Sequence, residues 1–320
     1  MNKMRISRNN IIVLAGIVAA YLLVYALQSF GMISDFQEVN LIMLGVNIIL
    51  AVSLNLIVGI TGQLALGHAG FMAVGGYVAA IMTMKLHQPF LLAIIVGALA
   101  AALAGVISGL PSLRLKGDYL AIATLGFGEI VKGAANNIDY IGGAAGMIGI
   151  SRLTNWTWLY VMMVITIVVI VNFLNSTHGR ACVAVRENEL AAETMGINTT
   201  YVKVLAFAMG AFFAGIAGAL YAHYFYLIQP TSFTFLRSFD VLVMVVFGGL
   251  GSITGSVIAA AAITFINAAL QDLGVLRMVI YATLLVAIMV FRPQGLLGTK
   301  EFSLNILAKK RGGVRGAAGN

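Results

Sequence analysis

The sequence predicts an all-α polytopic membrane protein of about ten transmembrane or half-spanning helices, and three observations predict it. First, 61% of the 320 residues are hydrophobic and 9% are charged, more apolar surface than a soluble domain can hide. Second, the apolar runs are long and do not alternate in polarity, which fits helices rather than the strands of a barrel. The bilayer interior offers no water to open backbone groups, and a helix satisfies them internally. Third, the basic residues gather at one set of run ends. Lys3, Arg5, Arg8, Arg114, Lys116, the loop Arg180 to Lys203 and the tail from Arg292 fall on one predicted side. Lys85, Arg152, Arg237 and Arg277 fall on the other, and Lys132 is assigned to neither. That bias places both termini in the cytoplasm.

The net charge of +8 therefore marks topology, not a nucleic-acid footprint. The single cysteine, Cys182, excludes an internal disulfide and a Cys-based metal cluster. No His-Glu-x-x-His, phosphate-binding loop or nucleophile–base set is present, so no catalytic residue, metal site or bound cofactor is expected. A chain without a phosphate-binding loop cannot hydrolyse ATP by itself.

Residues 1–10 form a basic tail, and Ile11 to Leu27 is a charge-free first span, read as retained because it outruns a signal-peptide core. Asp35 and Glu38 mark a short outer loop. The second span, Val39 to Ile60, carries Asn47, Ser53 and Asn55 and runs into the Gly-rich segment Gly59 to Gly70. A third continues to Met84. The fourth, Phe90 to Leu110, is stopped by Pro111. Asp118 to Lys132 reads as a short helix, either a span with Glu129 and Lys132 near its outer end or a partly re-entrant element. Asn136 to Thr157 is polar and Gly-rich, an outer loop, and Trp156, Trp158 and Tyr160 then mark an interface before the span Leu159 to Leu174.

Beyond the charged loop, Val204 to Tyr226 carries Ala211, Gly215 and Ala219 beside Ala214, Gly218 and Ala222. Small residues at this spacing let helices approach closely in lipid. Pro230 to Ser238 reads as an outer loop. A span opening at Asp240 is interrupted by Gly248, Gly249, Gly251 and Gly255, and resumes from Ser256 to Leu270. Val275 to Phe291 is the last span. The membrane-spanning body thus covers 11–292, with a basic tail at 293–320.

The loop 175–203 concentrates charge: Arg180, Arg186, Glu187, Glu189 and Glu193. Its Ala and Glu content favours helix, Leu190, Ala191 and Met195 share one side, Gly196 terminates it, and Asn198 or Thr199 caps the next helix. The expected product is one short interior-facing helix tied to a membrane helix.

The stretch RENELAAETMGI, followed by KVLAF and AFFAGIAGAL, resembles the LivM-type permease of branched-chain amino acid ABC importers. NLIVGITGQLALGHAGFMAVGGY, LRLKGDYLAIATLGFGEI and VFGGLGSITGSVIAA match the same family in the expected order. ABC permeases share a loop, written E-A-A-x-x-x-G, whose helix docks in a cleft of the ATPase. Ala191, Ala192 and Gly196 match it here, whereas Leu190 holds the Glu position and Glu189 precedes it. The resemblance implies that Arg186, Glu187, Asn188, Glu189, Ala191, Ala192 and Gly196 meet the ATPase. It further implies a homologous second permease, two cytoplasmic ATPases, a periplasmic substrate-binding protein and a bacterial inner-membrane location. A related urea or short-amide importer shares the pattern. An ion-coupled secondary transporter is the alternative of another class, and its coupling acid would have to be Glu129.

Carriers often bind substrate where helices break. The two Gly-rich breaks lie in opposite halves of the chain, and five spans per half would make those halves an inverted repeat. Asn55, Gln63 and His68, with Gly248, Gly249 and Gly251, are the pathway candidates, each also able to serve as an interhelical polar contact. Glu129 is either a functional intramembrane acid or the partner of Lys132.

Overall fold

The computed structural model describes residues 8–112, 115, 117–271, 276 and 283. Arg114, Lys116, Arg277, the expected last span Val275 to Phe291 and the basic tail lie outside the described residues. The chain divides into a unit containing residues 1–39 and a larger one spanning residues 40–299.

In the first unit, α1 (Arg8–Ser29) presents Leu22, Leu23 and Tyr25 outward. A capping box starts α2 (Asp35–Asn55): the Ser34 amide donates to Gln37 Oε1 at 3.0 Å and the Gln37 amide returns to Ser34 Oγ at 3.4 Å.

The larger unit continues α2 through a π-helical turn, Leu56–Ile60. An irregular segment then leads to α3 (His68–Met84) and α4 (Phe90–Ser112), which runs one residue past Pro111 before ending. α5 (Asp118–Asn137) is longer than the expected Asp118 to Lys132 piece. Two 3₁₀ turns and a strand, β1 (Met147–Ile148), occupy the expected outer loop. α6 (Trp156–Asn175) is capped by Asn155, whose side chain accepts from the Trp158 amide at 3.0 Å. The charged loop forms α7 (Thr177–Glu187) and α8 (Glu189–Thr194), and α9 (Thr199–Phe225) follows. β2 (Leu227–Ile228) pairs antiparallel with β1, Met147 opposite Ile228. Alternation over two residues is too short to read in a sequence, so the sequence does not predict this clasp.

The hairpin α10 (Phe235–Gly248) and α11 (Ile253–Ala269) closes the described chain. Phe235 to Ser238 is helical rather than outer loop. At 14 residues α10 is about 21 Å long, short of a ~30 Å hydrocarbon core. Among the described residues, four helical segments are long and apolar enough to cross a membrane: Asp35–Ile60, Phe90–Pro111, Trp156–Asn175 and Thr199–Phe225. Three shorter apolar helices accompany them: Gly16–Ser29, His68–Met84 and Ile253–Ala269.

The centre is the trio α3, α4 and α9, and its logic is that of a protein in lipid. On α4, Ala93, Ala98 and Ala101 are buried while Ile95, Leu99, Leu103 and Ile107 form an exposed stripe. Large side chains face outward and small ones inward, because lipid leaves no reason to hide leucine and packing favours close backbones. Both small-residue faces of α9 are used. A Cβ on Gly215 would lie 3.0 Å from the Ala98 Cα, and one on Gly218 only 1.9 Å from the Met72 carbonyl oxygen.

Candidate functional site

The charged loop is two helices. Asn188 adopts extended backbone (φ −159°, ψ 108°) and its side chain accepts from the Ala191 amide at 3.0 Å, so it ends α7 and caps α8. Arg186 and Glu187 therefore close one helix, and Glu189 to Thr194 form the next. The expected single helix is divided because Asn at this point satisfies a helix start better than a helix interior.

Termination of α8 explains the spacing of Ala192 and Gly196. The Gly196 amide donates to Glu193 O at 2.9 Å and the Ile197 amide to Ala192 O at 3.1 Å, with Gly196 at φ +83°. This is a Schellman motif, in which the residue four beyond the start of the turn must be left-handed. No described atom lies within 4 Å of a Cβ placed on Gly196, so backbone conformation, not crowding, favours glycine there. Asn198 then caps α9, accepting from the Tyr201 amide at 2.9 Å.

The inner side of this loop is fused to the bundle. Cys182, Val185 and Ala192 pack with Leu56 and Ile60 of the π-turn and with Val202 and Ala206 of α9. Burial raises the Cys182 thiol above its usual range, opposed by a hydrogen bond with Thr61. The outer side is apolar and open: Leu190 is 69% exposed and Met195 82%. The side shared by Leu190, Ala191 and Met195 thus points away from the chain.

Polar links hold the loop at both ends. Glu189 pairs with Lys203 of α9 at 2.5 Å, and the backbone oxygen of Lys203 accepts from Gln63 Nε2 at 3.4 Å. Arg186 pairs with Glu187 at 2.6 Å and sends Nη1 to the Gly59 carbonyl of the π-turn at 2.8 Å. Gly59 lies against the second break: a Cβ there would sit 2.3 Å from the Gly251 amide nitrogen. Asn55 clamps the two breaks, with Oδ1 accepting from the Gly251 amide and Nδ2 donating to Ser252 O, both at 2.9 Å. One side chain thus partners two backbone groups at an interrupted helix, where lipid offers no water to satisfy them. Ser252 in turn caps α11 through the Gly255 amide at 3.1 Å.

The breaks at Gly59 and at Gly248 to Ser252, read as separate features of opposite halves, therefore meet at one junction on the charged loop. Asn55, Gly251 and Arg186 are in it, and Gln63 is adjacent through Lys203. Gly248 packs on Gly255 within the hairpin, where a Cβ would lie 2.5 Å from the Gly255 carbonyl carbon. Gly249, at φ +106°, turns the chain between α10 and α11. His68 sits apart from the junction, its Nε2 2.9 Å from Ser53 Oγ of α2. Glu129 lies on α5 and pairs with Lys132 at 3.1 Å, with both side chains partly exposed. Lys203, Thr61 and Ser252 were not among the expected site residues. Only Ser252, a hydroxyl just before an apolar helix, carried a local signal, that of an N-cap.

Asn188 is exposed at the tip of this loop, and Cys182 is buried. We expect Asn188→Cys to react with a membrane-impermeant maleimide from the cytoplasmic face alone. The native chain should stay silent, because its thiol is buried and carries a raised pKa that keeps it protonated at neutral pH. Labelling from outside would overturn the topology.

The family described as branched-chain amino acid transport system, permease component, matches residues 39–290. The high-affinity branched-chain amino acid transport system permease protein LivM of Salmonella typhimurium is 35% identical over 71% of this chain and 62% of its own length. The Escherichia coli LivM is 35% identical over 77% of this chain and 65% of its own length. The matched region thus spans under two thirds of either relative. LivH of Salmonella typhimurium, a permease protein of the same kind of system, is 26% identical over 58% of this chain and 60% of its own length. No solved structure matches the chain significantly.

Proposed function

Since this chain belongs to the family of permease components of branched-chain amino acid transport systems, we propose that it forms part of the membrane pore of an ATP-driven importer for leucine, isoleucine and valine. It would sit in a bacterial inner membrane with both termini cytoplasmic, beside a homologous second permease. The similarity to both LivM and LivH supports a paired arrangement. A periplasmic binding protein would deliver substrate, and two cytoplasmic ATPases would bind and hydrolyse the nucleotide.

One observation carries this reading: the charged loop exposes Leu190 and Met195 and is bonded through Arg186 to the point where both interrupted helices meet. Exposed Leu190 and Met195 on an otherwise charged loop are available to a partner's cleft. Displacement of α8 would reach α9 through Glu189 and Lys203, and α2 with the α10–α11 hairpin through Arg186 and Gly59. Few bonds would stretch, because the cluster around Cys182 and Val185 moves with the loop.

Ala192→Trp and Gly196→Val test it. Tryptophan cannot enter the cluster that buries Ala192, and valine at φ +83° costs ~1–2 kcal/mol of backbone energy. Both should leave folded protein in the membrane while leucine uptake by the assembled importer falls about tenfold, the equivalent of ~1.4 kcal/mol. ATP hydrolysis should persist without stimulation by substrate-loaded binding protein. Wild-type stimulation of the ATPase in both variants would refute the coupling role. Uptake of urea instead of leucine by a deletion strain carrying this chain would redirect the substrate assignment.

A further inference from the structure

Between the π-turn and α3, residues 61–67 form an irregular strap that crosses from the charged loop to α5. The near end lies on Arg186: Gly62, at φ +74°, is so close that a Cβ there would stand 2.9 Å from the Arg186 Cγ. The Gln63 amide then donates to the Ile57 carbonyl at 3.0 Å. The far end lies on Thr124 of α5. The Leu66 amide donates to Thr124 Oγ1 at 3.0 Å, and a Cβ on Gly67 would fall 2.0 Å from the Thr124 carbonyl oxygen. Gly62 and Leu66 are four residues apart, a reach of no more than about 14 Å. Thr124 is buried and its hydroxyl is used twice, because Oγ1 also donates to the Ala121 carbonyl at 2.9 Å. The hydrogen is committed to its own helix, and the oxygen accepts from the strap.

We propose that Thr124 is a positioning residue for transport: it ties α5 to the strap, so that displacement of the charged loop at Arg186 reaches α5. This rests on the permease reading and adds a helix to those through which the loop acts. A hydrogen bond has direction and fixes the register of one element on another. The contacts of α5 with α3 are smoother and set mainly a separation. A Cβ on Gly70 would lie 2.9 Å from the Gly128 Cα, and the stacked rings of Phe71 and Phe127 have centroids 5.2 Å apart. On its outward side α5 has room to shift, since no described atom lies within 4 Å of a Cβ on Gly126 or Gly133. Any shift carries the Glu129–Lys132 pair with it. Coupling over a distance requires an element with two arrangements that both sites bias, and α5 is that element here.

The test reads the position of α5 in the assembled importer. Nitroxides on Ile130→Cys of α5 and Leu103→Cys of α4, both exposed positions, report one distance by electron paramagnetic resonance, and the native Cys182 is buried. That distance should change when the ATPases are trapped with ATP and vanadate. Thr124→Val keeps the shape of the side chain but cannot accept a hydrogen bond. In it the distance should no longer respond, and leucine uptake should fall about tenfold, in line with a buried amide deprived of its acceptor. Thr124→Ser retains the hydroxyl and should restore both. Ser238→Ala removes a second buried hydroxyl from this stretch, one that accepts from the Ala69 amide at 2.9 Å, and should leave the α5 response in place. A constant distance in the native importer, a native response in Thr124→Val, or failure of Thr124→Ser to restore it overturns the proposal. Should Thr124→Val not accumulate, Thr124→Ala makes the same deletion with less bulk. ATP-driven leucine uptake without movement of α5 removes this inference and leaves the importer reading intact. Movement of α5 without leucine uptake does the reverse.

Discussion

Replacing Gly59 with valine should abolish transport while leaving the protein inserted and its central trio packed. A Cβ at Gly59 would stand 1.9 Å from Asn55 Oδ1 and 2.3 Å from the Gly251 amide nitrogen, so it strikes the clamp and the second helix break together. Backbone has to move, because the crowding atom at Gly251 is not the end of a flexible side chain. Separation of the breaks leaves the Gly251 amide and the Ser252 carbonyl without Asn55, each at a cost of ~1–3 kcal/mol when buried. The Gly59 carbonyl that receives Arg186 moves as well. Leucine uptake, normalised to the amount of folded protein in the membrane, is the readout. Asn55→Leu should reproduce the loss by removing the clamp without adding bulk at Gly59. Combining the two should cost little more than either alone, since both break one junction. Uptake near wild type in Gly59→Val would show that the two breaks are not mechanically joined.

Gly218→Val should fail earlier, at assembly of the bundle. The added Cβ would meet the Met72 carbonyl oxygen at 1.9 Å and the Gly76 amide nitrogen at 2.9 Å, both backbone atoms of α3. No rotamer relieves that, so α3 and α9 must separate along the seam where Ala211, Ala214, Ala219 and Ala222 are fully buried. Helix association in lipid depends on such contact, having no hydrophobic drive between helices. A loss above ~3 kcal/mol is expected, in the range of severe core overpacking. The thermal transition of detergent-solubilised protein should fall sharply and the membrane level with it. Gly126→Val on α5 is the matched control, since no described atom lies within 4 Å of a Cβ there. An unchanged transition in Gly218→Val would mean that α3 and α9 are not in backbone contact.

The two substitutions separate kinds of information. The seam at Gly218 was legible in the chain, because small residues repeated every fourth position define a helix face whatever it meets. The junction at Gly59 was not. Asn55 and Gly251 stand 196 positions apart, and a Gly-rich stretch signals an interrupted helix without saying which other interruption completes it. The same holds for Arg237, expected in the loop Pro230 to Ser238 yet helical and bonded to Asn47, 190 residues away. Glu189 and Lys203 lie only 14 residues apart, but a Schellman turn and a cap intervene before they face each other.

By itself the sequence determined that the chain is a bundle of apolar helices, with a charged loop between two of them, a glycine end at Gly196 and a cap at Asn198 or Thr199 for the next helix. Those features follow from composition, local periodicity and side chains that bond within their own turn. Tertiary structure alone decided that the loop's Leu190 and Met195 face outward and that both helix breaks gather on Arg186. These depend on which backbone groups lose water together, and pairing across distant segments leaves no mark on the local order of residues.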